Sequence, residues 1–76
     1  MSDSLELIVK FRRGVTEDGA REAVLQAGGQ VRRRMRGDRD DEVTLLVRAD
    51  GGAIERTLSR HPDVTHTEPN HDGFGI

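Results

Sequence analysis

At 76 residues, with no cysteine, tryptophan or tyrosine, the chain has the length of one small domain and excludes both a disulfide framework and a thiolate metal site. Fourteen acids against twelve bases give a formal charge of -2, so the chain as a whole is not a polycation that would seek nucleic acid or anionic membrane. No apolar run approaches the ~20 residues of a membrane-spanning helix, and MSDSLE lacks the basic start and apolar stretch of a signal peptide.

Taken in chain order, LELIVKF alternates, with Leu5, Leu7, Val9 and Phe11 on one face and Glu6, Ile8 and Lys10 on the other. That period predicts a first strand from Leu5 to Arg12, with residues 1–4 as a disordered start. Gly14 ends it. Thr16 is the expected N-cap of a first helix, and Glu17 and Asp18 put negative charge where the macrodipole favours it. Ala20, Ala23, Val24 and Ala27 share a helical face, and Gly28 and Gly29 stop the helix.

Gln30 to Arg36 alternates again and predicts a second strand, with Val31, Arg33 and Met35 on one side and Arg32, Arg34 and Arg36 on the other. Arg33 interrupts the apolar side, which places it at a sheet margin or with its guanidinium snorkelling to water. GDRDD is a turn, and EVTLLVRA is a third strand with Val43, Leu45 and Val47 inward. Asp50 is the expected cap of a second helix across Gly51 to Arg60, carrying Ile54 and Leu58 at i, i+4. His61 and Pro62 stop it, and Val64 to Glu68 forms a fourth strand. The order βαββαβ, with short right-handed connections, predicts an α+β, ferredoxin-like fold: a four-stranded antiparallel sheet with both helices on one face. The folded core is expected over residues 5–69. Residues 70–76 are too polar and glycine-rich to join it, and form an extended C-terminal tail.

Three kinds of site come into question. His61, His66 and His71 recur every five residues, a spacing that places no two on one helix face, and without cysteine they read as solvent-facing or capping groups. No metal or cofactor is expected. Arg32, Arg33, Arg34, Arg36 and Arg39 could contact phosphates, but sheet-face RNA recognition also needs exposed aromatics, and Asp38, Asp40, Asp41 and Glu42 offset much of the charge. Catalysis lacks a foundation, since Ser2, Ser4 and Ser59 have no histidine and acid at a suggestive spacing and no phosphate-cradling glycine loop is present. The chain is expected not to be an enzyme. Binding through backbone is left, because a strand running into an extended tail suits addition to another protein's sheet edge.

Four segments together resemble a known family. LIVKFRRGV, QAGGQVRRRM, the apolar-then-acidic passage from the third strand into the second helix, and HPDVTHTEPNH are similar, in order and spacing, to the propeptide domain of subtilisin-like serine proteases, a family of proteinase inhibitors. The resemblance covers residues 5–76. It implies a ferredoxin-like domain that lays its sheet on two parallel surface helices of the protease and sends its tail into the active-site cleft as a product mimic. Such domains act as inhibitors and intramolecular chaperones. The resemblance assigns Gly73, Phe74, Gly75 and Ile76 to the cleft, with Ile76 in the specificity pocket and its carboxylate near the oxyanion hole. It assigns Glu68 and Asn70 to capping the N-termini of the two protease helices. At Asn70 the family's usual residue is Asp, so this position accepts hydrogen bonds without bringing charge. The expected partner is a subtilisin-like serine protease, with no membrane and a monomer when free. Read as a native start, Met1 implies a free-standing cytoplasmic protein, whereas excision from a secreted precursor implies an extracellular or periplasmic one. The competing reading is a stand-alone ferredoxin-like module that binds RNA or a protein through its Arg-rich strand.

Overall fold

The computed structural model describes residues 5–35, 41–50 and 52–70. The elements are β1 (Leu5–Phe11), α1 (Glu17–Gln26), β2 (Gln30–Met35), β3 (Thr44–Ala49), α2 (Gly52–Ser59) and β4 (Val64–Pro69). The sheet order is β2-β3-β1-β4 with every neighbouring pair antiparallel, which is the ferredoxin-like βαββαβ arrangement. Apart from β2, differences from the sequence expectation lie at element ends. β1 stops at Phe11 rather than Arg12, β3 starts at Thr44, β4 continues to Pro69, and α2 begins at Gly52, so its capping position falls on residue 51, outside the described residues. Residue 36 and most of the GDRDD turn also lie outside them.

The core occupies one face of the sheet. Leu7, Val9 and Phe11 from β1 and Leu45, Val47 and Ala49 from β3 pack with Ala20, Ala23 and Val24 of α1 and Leu58 of α2, so both helices cover this face. Small alanines on α1 let that helix approach the sheet closely, and its start and stop are set locally. The Thr16 hydroxyl accepts from the Gly19 N–H at 3.0 Å, capping the first turn. At the other end, Gly28 takes φ +95°, its N–H bonding Leu25 O while Gly29 N–H bonds Val24 O at 3.0 Å. This paired pattern is a Schellman stop, which needs a residue free to adopt the left-handed region. Gly29 serves a different end. A Cβ there would lie 3.0 Å from Val47 Cγ1 and 3.2 Å from Val24 Cγ1, so the missing side chain lets the helix end close onto β3.

β2 differs from expectation in a way that resolves the misfit at Arg33. The register runs Val31 opposite Val47, then Arg33 opposite Leu46 and Arg34 opposite Leu45, leaving Arg32 as the extra residue of a β-bulge. Beyond the bulge the phase reverses. Arg33 and Met35 join the face away from the helices, with Leu46 and Thr44, rather than sharing a side with Val31. Arg34 moves to the helix side, where its guanidinium Nη1 donates to Glu17 Oε1 at 3.1 Å.

Glu17 therefore holds two arginines. Its hydrogen bond from Arg21 at 3.0 Å is the largest influence lowering its pKa below the usual glutamate value; partial burial opposes this, and the Arg34 hydrogen bond adds to it. A depressed folded-state pKa contributes stability that is complete above the unfolded value and is lost as pH falls through the folded one. Urea midpoints of the native chain and Glu17→Gln should thus differ most near neutral pH and converge as acidification protonates the Glu17 carboxyl in the folded chain. A gap that stays constant with pH would show that Glu17 does not act through its charge.

Candidate functional site: the open face of the sheet

The face away from the helices is uncovered by any other described element, and the strand registers arrange it in rows. Across β2-β3-β1-β4, one row runs Gln30 and the bulged Arg32, Arg48, Glu6, and Asn70 just beyond β4. The next runs Arg33, Leu46, Ile8 and Glu68, and the third Met35, Thr44, Lys10 and His66. The middle row is apolar at its centre and charged at both ends. Leu46 is only 7% exposed yet stands outside the core cluster, because it lies on the opposite face of β3 from Leu45 and Val47. Half-buried Ile8 is its cross-strand neighbour. The doubled leucine in TLLV carried this signal, since a strand with one solvent face has no use for an apolar residue in both phases. Sequence reasoning set Glu6 and Ile8 on the outer face of β1 without giving them a role, and passed over Leu46 and Arg48.

Both expected helix-capping residues lie on this face. Glu68 sits on β4 opposite Ile8, with its side chain 49% exposed and Oε1 3.1 Å from His66 Nε2. Asn70 extends the ladder, donating its backbone N–H to Glu6 O at 2.8 Å and its side-chain Nδ2 to Glu6 Oε1 at 3.3 Å. Its amide N–H is thus engaged within the domain, and its Oδ1 is the atom chemically suited to accept from a partner. Residues 68 and 70 stand two apart on one strand, on the same side, about 7 Å from each other along an extended backbone. The four residues expected in a protease cleft, Gly73, Phe74, Gly75 and Ile76, lie outside the described residues, six positions or fewer beyond Asn70.

The other sequence candidates are placed as follows. Arg32 faces Glu6 at 3.8 Å and Arg34 faces Glu17, so two members of the arginine run meet carboxylates of their own chain. Phe11 is 1% exposed in the core and offers no stacking surface. His61 Nδ1 accepts from the Asp63 N–H at 3.1 Å as a local turn cap, and Ser59 Oγ donates to Arg56 O. Among the described residues no three histidine or carboxylate side chains gather as a cation site. His71 and Phe74 lie outside them.

In comparisons with family models, curated proteins and solved structures, nothing matched this chain. The reading of the open face therefore stands on its own geometry and on the motif resemblance. Chemically, the face offers half-buried Ile8 beside an already buried Leu46, an exposed carboxylate at one end of that row and guanidinium groups at the other.

Proposed function

We propose that this chain is a propeptide-type inhibitor and folding chaperone of a subtilisin-like serine protease. In this reading the open sheet face docks on paired surface helices, and residues 73–76 enter the active-site cleft. The observation that carries the proposal is the position of Glu68. It is an exposed carboxylate beside the Ile8 and Leu46 strip, on the strand that leads into the tail. A helix N-terminus presents unpaired N–H groups and positive partial charge, and an exposed carboxylate on a rigid strand is a good acceptor for both.

The mechanism of inhibition needs no chemistry from this chain. The tail pairs its backbone with the strands that line a substrate cleft, and its glycines lie close to the cleft walls without demanding side-chain pockets. The docked sheet holds the tail at high effective concentration, so two moderate contacts act as one strong contact. A chaperone role arises from the same complementarity. A preformed face that binds the native arrangement of two helices, and not the unfolded chain, stabilises that arrangement by mass action.

Glu68→Ala tests the docking directly. Hydrogen bonds to a charged group are worth ~1.5 to 3 kcal/mol, so the inhibition constant against a sensitive subtilisin-like protease should rise about 10- to 100-fold, with an unchanged circular dichroism spectrum. An unaltered inhibition constant would remove Glu68 from the interface and with it the main support for this reading.

A further inference from the structure

The open face carries charge of the opposite sign to the chain as a whole. Arg32, Arg33, Arg48 and Lys10 lie on it against Glu6 and Glu68, a net basic set on a protein whose formal charge is -2. The basic groups are not spread evenly. Arg32, Arg33 and Arg48 gather over β2 and β3, whereas Glu68 stands over β4. The bulge at Arg32 decides which arginine stands there: it turns Arg33 onto the open face beside Leu46 and Arg34 towards Glu17 on the helix side. Arg33 and Arg48 are exposed and form no ion pair among the described residues, and Arg32 approaches Glu6 only at 3.8 Å.

We infer that the protein surface docked on this face is acidic where it covers β2 and β3, and that Arg33 and Arg48 select among target proteases by the charge there. The inference rests on the protease reading and adds to it the chemistry of the partner. Leu46 is already buried within the domain, so a partner that packs on half-buried Ile8 meets the exposed guanidinium groups of Arg33 and Arg48 over β2 and β3, and covering these is costly unless carboxylates meet them. A polyphosphate fits this face less well. Glu6 and Glu68 would repel it, and no aromatic side chain stands on the face among the described residues. Exposed charges of this kind act mainly on the encounter, raising association rates in a salt-dependent way.

The test is the association rate with two subtilisin-like proteases, one acidic and one neutral on its paired surface helices, at low and high salt. The variants are Arg33→Glu/Arg48→Glu and the milder Arg33→Gln/Arg48→Gln, each checked for folding by circular dichroism. The acidic protease should be captured about 10-fold or more slowly by the charge-reversed variant at low salt. That difference should shrink towards unity at ~1 M salt, where screening acts over about 3 Å. The neutral protease should not distinguish the variants, and the glutamine variant should fall between. Equal rates and equal salt dependence for all forms, with inhibition intact, would overturn this inference and leave the protease reading standing. Failure of the native chain to inhibit any subtilisin-like protease would take down both. Retention of single-stranded RNA by the native chain, lost in the variants, would overturn the acidic-protein assignment in favour of nucleic acid.

Discussion

Removal of Gly73 to Ile76 should lower inhibition of a subtilisin-like protease by ~100-fold or more while the fold survives. Joining two weak contacts through a short connection raises avidity ~10²- to 10⁴-fold over either contact alone, and that gain vanishes when one of them is deleted. The described fold asks nothing of these four residues. β4 ends at Pro69, and Asn70 completes the pairing with β1 through its 2.8 Å bond to Glu6 O. The far-ultraviolet circular dichroism and the urea midpoint of the truncated chain should therefore match those of the full chain. The complementary measurement uses a peptide of residues 70–76, which should be a weak and rapidly cleaved ligand because nothing anchors it. Undiminished inhibition by the truncated domain would contradict the cleft mechanism and leave surface docking as the whole of the interaction.

The parts of the fold legible in the sequence are those fixed by short-range chemistry. Thr16 caps α1 as its position implies, and Gly28 with Gly29 stops it, because both devices depend on residues a few positions apart. Leu7, Val9 and Phe11 of β1 and Leu45 and Val47 of β3 keep their alternation and fill the core as expected. β2 departs from its expected faces for a physical reason. A bulge inserts one residue and reverses the phase of the rest of the strand, and an arginine-rich strand at a sheet edge has no apolar residues beyond Val31 to mark the reversal except Met35. The candidate site is legible in part. Glu68 and Asn70 stand out by motif and do share the open face, whereas the pairing of Leu46 with Ile8 between the charged ends has only the doubled leucine as its local signal. Which residues of β2 and β3 stand beside that pair depends on register, which no local pattern states.

Leu58→Ala should unfold the free domain. Leu58 is 0% exposed and is the one fully buried side chain α2 contributes among the described residues, while Ile54 on the same helix is only half-buried and leans towards Gly28 at the end of α1. A leucine-to-alanine change at such a site costs ~2 to 5 kcal/mol, and a core of this size rarely supplies more than ~3 to 5 kcal/mol in total. Circular dichroism at 25 °C should accordingly show loss of helix and sheet signal, or a urea midpoint near zero. The functional consequence separates folding from docking. An unfolded inhibitor is a substrate, so Leu58→Ala should be digested by the protease that the native chain inhibits, at a rate set by the unfolded fraction. If the open face docks as proposed, excess catalytically inactive protease should restore the folded signal, since a partner present at ~100 times its dissociation constant returns about 2.7 kcal/mol. Combining Leu58→Ala with Glu68→Ala should weaken that rescue, because a 10- to 100-fold higher dissociation constant leaves the same protease returning only about 0.4 to 1.4 kcal/mol while the core defect stays as it was.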